Sequence, residues 1–178
     1  MIDGAMQEFA LTLDKFLDHA AKWHPRTEVV TAHEGGRIER VSYADLRNRS
    51  ARISTLLQKL GTGVGDRVAT LAWNTRAHVE VWYAIMGIGA TCHTLNPRLI
   101  AAQTASMLAQ SGCRIIVVSA DLLPLAQQIV ERSPGIEHIL VIDGRADAWQ
   151  GATARPVVTS VDDAMKEIRD QASWGNFD

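Results

Sequence analysis

Between Arg67 and Ile142, short apolar runs of strand length alternate three times with longer stretches of helical period. Strands are predicted at Arg67 to Trp73, Ala90 to Leu95, Arg114 to Ser119 and His138 to Ile142. Helices are predicted between them, near Arg76 to Met86, Leu99 to Gln110 and Leu122 to Arg132. A strand that returns parallel to its predecessor needs a crossover, and a helix in each crossover covers a face of the sheet with right-handed connections. Ile115-Ile116-Val117-Val118 and Ile139-Leu140-Val141-Ile142 are apolar without interruption, the pattern of strands buried on both faces. The expectation is an α/β fold, a mostly parallel sheet with helices on both faces.

The segment before Arg67 has a different period. Leu13, Phe16, Leu17, Ala20 and Ala21 recur at three- and four-residue intervals, so Leu11 to His24 reads as an amphipathic helix stopped by Pro25. Glu28 to His33 and Arg37 to Tyr43 read as a short hairpin around Gly35-Gly36. Ser42 stands three residues before Asp45, a capping spacing, and Leu46, Ile53, Leu57 and Leu60 share one helical face up to Gly61. After Asp143 the pattern loosens, with one short amphipathic helix beginning near Ser160 and Asp163 as its capping partner. The tail from Ala172 shows neither cap nor core pattern. This divides the chain into an N-terminal arm and helix at 1–25, an α/β subdomain at 26–143 and an irregular tail at 144–178.

Lys and Arg number 18 against 20 Asp and Glu, a net charge of −2, which gives no field to hold nucleic acid. No run reaches the roughly 18 apolar residues of a membrane span, and the N-terminus lacks a secretion signal, so the cytoplasm is the expected compartment. Cys92 and Cys113 are too few for a disulfide framework and too far apart for a CxxC motif; both read as small core residues.

The glycine-rich stretch Gly61-Thr62-Gly63-Val64-Gly65 follows a helix and precedes a strand. That order is the reverse of the one that aims a helix N-terminus at a phosphate, so it reads as a turn. Gly87-Ile88-Gly89 reads as a helix cap. None of His19, His24, His33, His78, His93 and His138 is paired on a helical face beside a Glu, so no metal site is expected. No nucleophile with a base and an orienting carboxylate is placed by sequence, and no catalytic residue is assigned.

In open parallel sheets, ligands settle outside the carboxyl ends of the strands. Asn96-Pro97-Arg98 follows one predicted strand, with Asn suited to an N-cap, Pro to the first helical position and Arg98 supplying a positive charge. Trp73-Asn74 follows the strand before it, and His93 lies within the predicted strand two residues before the Asn96 loop. The candidate substrate-binding residues are therefore Trp73, Asn74, His93, Asn96 and Arg98, with a core role the plainer reading for His93.

Val41-Ser42-Tyr43-Ala44-Asp45-Leu46 resembles the first core motif of the adenylate-forming superfamily, and Met86 to Ala90 running on to Leu95-Asn96-Pro97-Arg98-Leu99 resembles the second. Gly65-Asp66-Arg67-Val68-Ala69-Thr70-Leu71-Ala72-Trp73-Asn74 and His93 to Leu99 are similar to bacterial medium- and long-chain fatty-acid CoA ligases, as are Met6-Gln7-Glu8 and Leu11-Thr12-Leu13. The motifs keep their order over nearly the whole chain.

The resemblance implies a parent enzyme in which a carboxylate attacks the α-phosphate of ATP and CoA thiol then displaces AMP. Its partners would be a fatty acid or other carboxylate, ATP with Mg, and CoA. Such enzymes grip phosphate with a Ser/Thr/Gly-rich loop ending in Lys and with acidic and basic residues further on; none has a counterpart here, and Trp174 to Asp178 resembles the lead-in to that loop. The implied chain is an N-terminal part, truncated before the phosphate-binding loop, holding no cofactor and inactive by itself. Ile100-Ala101-Ala102-Gln103 departs from the family in lacking an acidic residue, and Ala146 to Ala172 matches no family pattern. The alternatives are a free-standing truncated paralogue acting as a self-association or interaction module, with a homodimer expected, and an unrelated flavodoxin-like binding domain.

Overall fold

The structure is a computed structural model and describes residues 10–151, 156–175 and 177. Met6 to Glu8, Thr153, Asn176 and Asp178, used in the sequence reading, lie outside the described residues. The chain opens with helix α1 (Asp14–Trp23), the hairpin β1 (Glu28–Ala32) and β2 (Ile38–Ser42), and helix α2 (Tyr43–Lys59). There follow β3 (Arg67–Leu71), α3 (Arg76–Gly87), β4 (Thr91–Thr94), α4 (Ala101–Ser111), β5 (Ile115–Ser119), α5 (Leu123–Val130), β6 (His138–Ile142), β7 (Val157–Ser160) and α6 (Val161–Ala164).

β1 and β2 pair antiparallel, and Gly35 and Gly36 take φ of 78° and 82° at their turn, a conformation that costs glycine little. The other strands form a parallel five-stranded sheet in the order β4-β3-β5-β6-β7, with the two four-residue strands at its edges. Ser42 caps α2 as its spacing predicts, its Oγ accepting the Asp45 N–H at 3.1 Å. Gly61-Thr62-Gly63-Val64-Gly65 is a turn, with Gly61 and Gly65 both at φ 82°.

Side chains alternate across the sheet and close two cores. Val68, Ile115, Val117, Leu140 and Ile142 pack under α2, α3 and α6 with Ile53, Leu57, Val81, Ile85, Val161 and Ile168. Ala69, Leu71, Ile116, Val118, Ile139 and Val141 face α4 and α5 with Leu108, Leu123, Ala126 and Ile129. Burying an aliphatic side chain of this size stabilises by about 1.5–3 kcal/mol, so both layers are integral to the fold.

Four local expectations are corrected. α4 starts at Ala101 with Ile100 at its N-cap position, so Asn96 and Pro97 do not open it. Instead Asn96 Oδ1 accepts the Arg98 N–H at 2.9 Å, an Asx-turn that competes with helical geometry. Val157–Ser160 is a strand paired with β6 where irregular chain was expected; at four residues it is too short for a clear period. Ser160 makes no side-chain cap on α6, and Asp163 instead accepts a hydrogen bond from Lys166 Nζ at 2.6 Å. The tail near Ala172, expected to lack a core pattern, is docked: the Ala172 N–H donates to Ala51 O at 3.1 Å and Trp174 packs on the core.

Candidate functional site

β3 is flanked by β4 on one side and β5 on the other, while the helix after β3 and the helix after β5 cover opposite faces. The crevice between the carboxyl ends of β3 and β5 is thus the switch point where such sheets take ligands. Side chains bridge it: the Trp73 N–H donates to Ser119 Oγ at 3.3 Å, and Trp73 Nε1–H donates to Asp121 Oδ2 at 2.7 Å. Above it opens a cleft of about 900 Å³, lined by Trp73, Thr75, Arg98, Asp121 and Asp143, the hairpin residues His33, Arg37 and Glu39, and the helical residues Arg49, Arg76 and Glu80.

Thr75 caps α3 by accepting the His78 N–H at 3.3 Å and turns its hydroxyl to Asp143 Oδ2 at 2.7 Å. Asp143 holds this position at φ 58°, left-handed and unusual outside glycine. His78 is fixed beside it. Its Nδ1 lies 3.1 Å from the Trp73 carbonyl, which only accepts, so Nδ1 carries the proton and Nε2 accepts from Thr70 Oγ1 at 3.0 Å. Burial pushes the His78 pKa below its ordinary value, outweighing the Trp73 carbonyl and the Asp143 charge.

The cleft wall is held by a buried ion network. Glu80, 1% exposed, accepts from Arg49 Nε at 3.0 and 3.1 Å and from Arg76 Nη1 at 2.7 Å. Arg49 reaches on to Asp162 at 2.8 Å, and Arg76 to Glu39 at 2.8 Å, with His33 3.2 Å from the other Glu39 oxygen. Burial alone would lower both arginine pKa values, but Glu80 charge and hydrogen bonding hold them above the ordinary value. Burial would raise Glu39, whereas the His33 hydrogen bond and the Arg76 charge hold it low. The Arg76 N–H also donates to Thr31 Oγ1 at 2.9 Å, so one network ties the hairpin, α2, α3 and α6 around the cleft.

A second groove of about 760 Å³ lies over β4, with Val30, Val79, Trp82, Leu95 and Pro97 as apolar walls and Asn74, Asn96 and Arg98 on its polar side. Of the five candidates, Trp73 lines the cleft, Asn74 and Asn96 line the groove, and Arg98 stands between the two. His93 lines neither cavity. It projects to the opposite face, 3.8 Å from Cys113 Sγ, with its pKa lowered by burial and then by Arg67. Cys92, on the groove side, has its thiol pushed up to about 12 by burial, which disfavours the thiolate at neutral pH.

Sequence reasoning missed Arg49, Arg76, Glu80, Glu39, Asp121 and Asp143. Arg76 and Glu80 carry a usable signal, opposite charges four residues apart on one helix. Arg49 and Glu39 come from elements distant in sequence and carry none.

The AMP-binding enzyme family matches residues 16–172 of the chain. The chain belongs to the AMP-binding enzyme family. Within that family it is 32% identical over 176 residues to the 3-methylmercaptopropionyl-CoA ligase of Ruegeria lacuscaerulensis, covering 98% of this chain and 32% of that protein. It is 38% identical over 143 residues to the long-chain-fatty-acid–CoA ligase of Thermus thermophilus, covering 80% of this chain and 26% of the relative. This AMP-binding chain therefore spans about a third or less of the length of the curated relatives it matches. Its fold matches the A-PCP didomain of carboxylic acid reductase from Segniliparus rugosus, solved with AMP, at a TM-score of 0.79 and 17% identity, over 96% of this chain and 28% of that one. Among the described residues no helix is long and apolar enough to cross a membrane, and no group of three or more His, Cys, Asp or Glu converges to hold a metal ion.

Proposed function

We propose that the chain is the N-terminal α/β part of an acyl-CoA synthetase. It supplies the sheet and one wall of the site where a fatty acid or related carboxylate is activated by ATP and passed to CoA. The observation that carries this reading is the match itself: it runs along nearly the whole chain, and relatives so aligned bear the names of CoA ligases. The cleft at the carboxyl ends of β3, β5 and β6 adds support, because that is where this class of sheet holds ligands.

By itself the chain does not activate carboxylates. Adenylyl transfer requires donors that stabilise developing phosphate charge, and the glycine-rich turn at Gly61 to Gly65 precedes β3 rather than following a strand. Among the described residues no three His, Cys, Asp or Glu side chains converge, so the chain offers no all-protein metal cage. The chain is placed in the cytoplasm by this reading.

Purified residues 1–178 incubated with ATP, magnesium, a fatty acid and hydroxylamine are expected to give no acyl-hydroxamate. Formation of acyl-hydroxamate above a no-enzyme control overturns the assignment of inactivity.

One observation favours a second reading, a self-associating module that forms a homodimer. α1 and the residue before it turn Leu13, Phe16 and Trp23 outwards at 47%, 61% and 63% exposure, an apolar stripe at helical spacing. Light scattering behind a sizing column decides it: a dimer is expected under this reading, and a strictly monomeric chain removes it.

A further inference from the structure

After α6 the chain has no strand or helix from Met165 to Gly175, yet it is fastened along its length to α2 and α3. Arg52, on α2, donates to the Met165 carbonyl and twice to the Ile168 carbonyl, at 2.8 and 3.1 Å. Thr55 Oγ1 donates to Asp170 O at 3.2 Å, and the Ala172 N–H donates back to Ala51 O at 3.1 Å. Met165 and Ile168 are each 3% exposed, so the first part of the segment is also packed into the core.

The strongest grip is at Trp174. Its Nε1–H donates to Ser54 Oγ at 2.9 Å, and that hydroxyl donates to Ala84 O at 2.7 Å, linking the indole to both helices. The Arg47 guanidinium lies over the ring at 3.7 Å from its centroid. The indole fills the space at Gly87 so closely that an added Cβ would overlap its ring. Gly87 is helical, so its backbone does not require glycine; the space it leaves for the indole does.

We propose that residues 169–175, which follow the core-anchored Ile168, form a latch, seated by Trp174 in a socket built from Arg47, Ser54 and Gly87, that opens and closes as one unit over α2 and α3. The physical basis is the kind of bond used. The latch is held on α2 by side chains of that helix and one backbone pair, Ala172 to Ala51, and on α3 by the seat of the indole at Gly87, with no ladder into the sheet. Such segments exchange with open forms at lower free energy than the core strands. Closure clamps α2 to the C-terminal end of α3, where Gly87 lies, and the other end of that helix carries Thr75 and Arg76 into the cleft. The latch is thereby a device that holds the cleft wall from behind.

The test uses the full chain with Gly87→Val, which fills the socket, and Trp174→Ala, which empties it. Arg169 provides a trypsin site at the start of the latch. Both variants are expected to be cut there faster than the parent, with amide protection at residues 170–175 reduced about tenfold or more while β5 and β6 keep theirs. The double variant is expected to be no worse than the worse single, since both act on one contact. Unchanged cleavage and exchange in Trp174→Ala overturns the latch. So does loss of β5 and β6 protection together with the latch in that variant, because the segment would then not open by itself, and so does an additive double variant.

Discussion

Under α4 and α5 the sheet is closed by Ile116, Val118, Ile139 and Val141 against Leu108, Leu123, Ala126 and Ile129. Under α2, α3 and α6 an equally apolar layer stops short at the carboxyl ends of the strands, where Glu80, Arg49, Arg76, Glu39 and Asp162 take over. The first face holds by volume and can exchange one aliphatic for another. The second holds partly by charge, which is directional and fails when one partner is lost. The cleft lies on the side where the apolar filling gives way to charge, and that is where a polar ligand can be met without first being desolvated against hydrocarbon.

The largest expected effect that separates the faces is at Glu80. Glu80→Ala leaves two partly buried guanidinium groups without their shared carboxylate. Arg49 keeps Asp162 and Arg76 keeps Glu39, so a loss near the lower end of the range for broken buried pairs, about 3 kcal/mol, is expected in urea unfolding. Glu80→Gln should lose less, because its amide oxygen still accepts from one arginine. A Glu80→Ala loss under 1 kcal/mol would remove charge as the organising element of that wall.

The middle effect probes the opposite face. Ile116→Val removes one methylene group from a fully buried site and is expected to cost about 1 kcal/mol without changing the slope of the urea transition. A loss as large as that of Glu80→Ala would erase the contrast between the faces.

The smallest effect is a pH dependence. His78 is neutral in the folded chain and its pKa is lowered by burial, so the unfolded chain binds the extra proton first as pH falls. Its contribution is fully present above the ordinary histidine pKa of about 6.5 and is lost as pH drops from there towards the lower folded value. His93, on the other face, is also lowered and adds in the same direction. Melting temperature should therefore fall as pH is taken from 7 to 5, and His78→Gln should flatten that decline. A decline of the same steepness in His78→Gln would take His78 out of the account.

The α4/α5 face was legible because its signal is local: uninterrupted Ile and Val runs announce β5 and β6, and helical periods announce the layers over them. Placing Trp73 and Arg98 at a cleft was legible for a related reason, since the ends of parallel strands follow from the strand pattern alone. The ion network was not. Arg49 and Glu80 are 31 residues apart, and Arg49 and Asp162 are 113 apart, so nothing short of the packed helices brings them together. His93 shows the limit of reading a strand without its register: the neighbouring Cys92 and Thr94 face the groove, and alternation turns His93 the other way. The docking of Trp174 was hidden because its complement is the side chain that Gly87 lacks, and an absence on a helix leaves no period.

The rims of the five-stranded sheet have a consequence for the chain at high concentration. β4 and β7, four residues each, leave only a narrow row of open peptide groups on either flank, whereas the five-residue strands are enclosed. Edge-to-edge templating grows with the length of flat backbone on offer, so a newly made molecule gives its neighbours little to copy. Crowded synthesis should accordingly favour clean folding over fibril growth through this sheet.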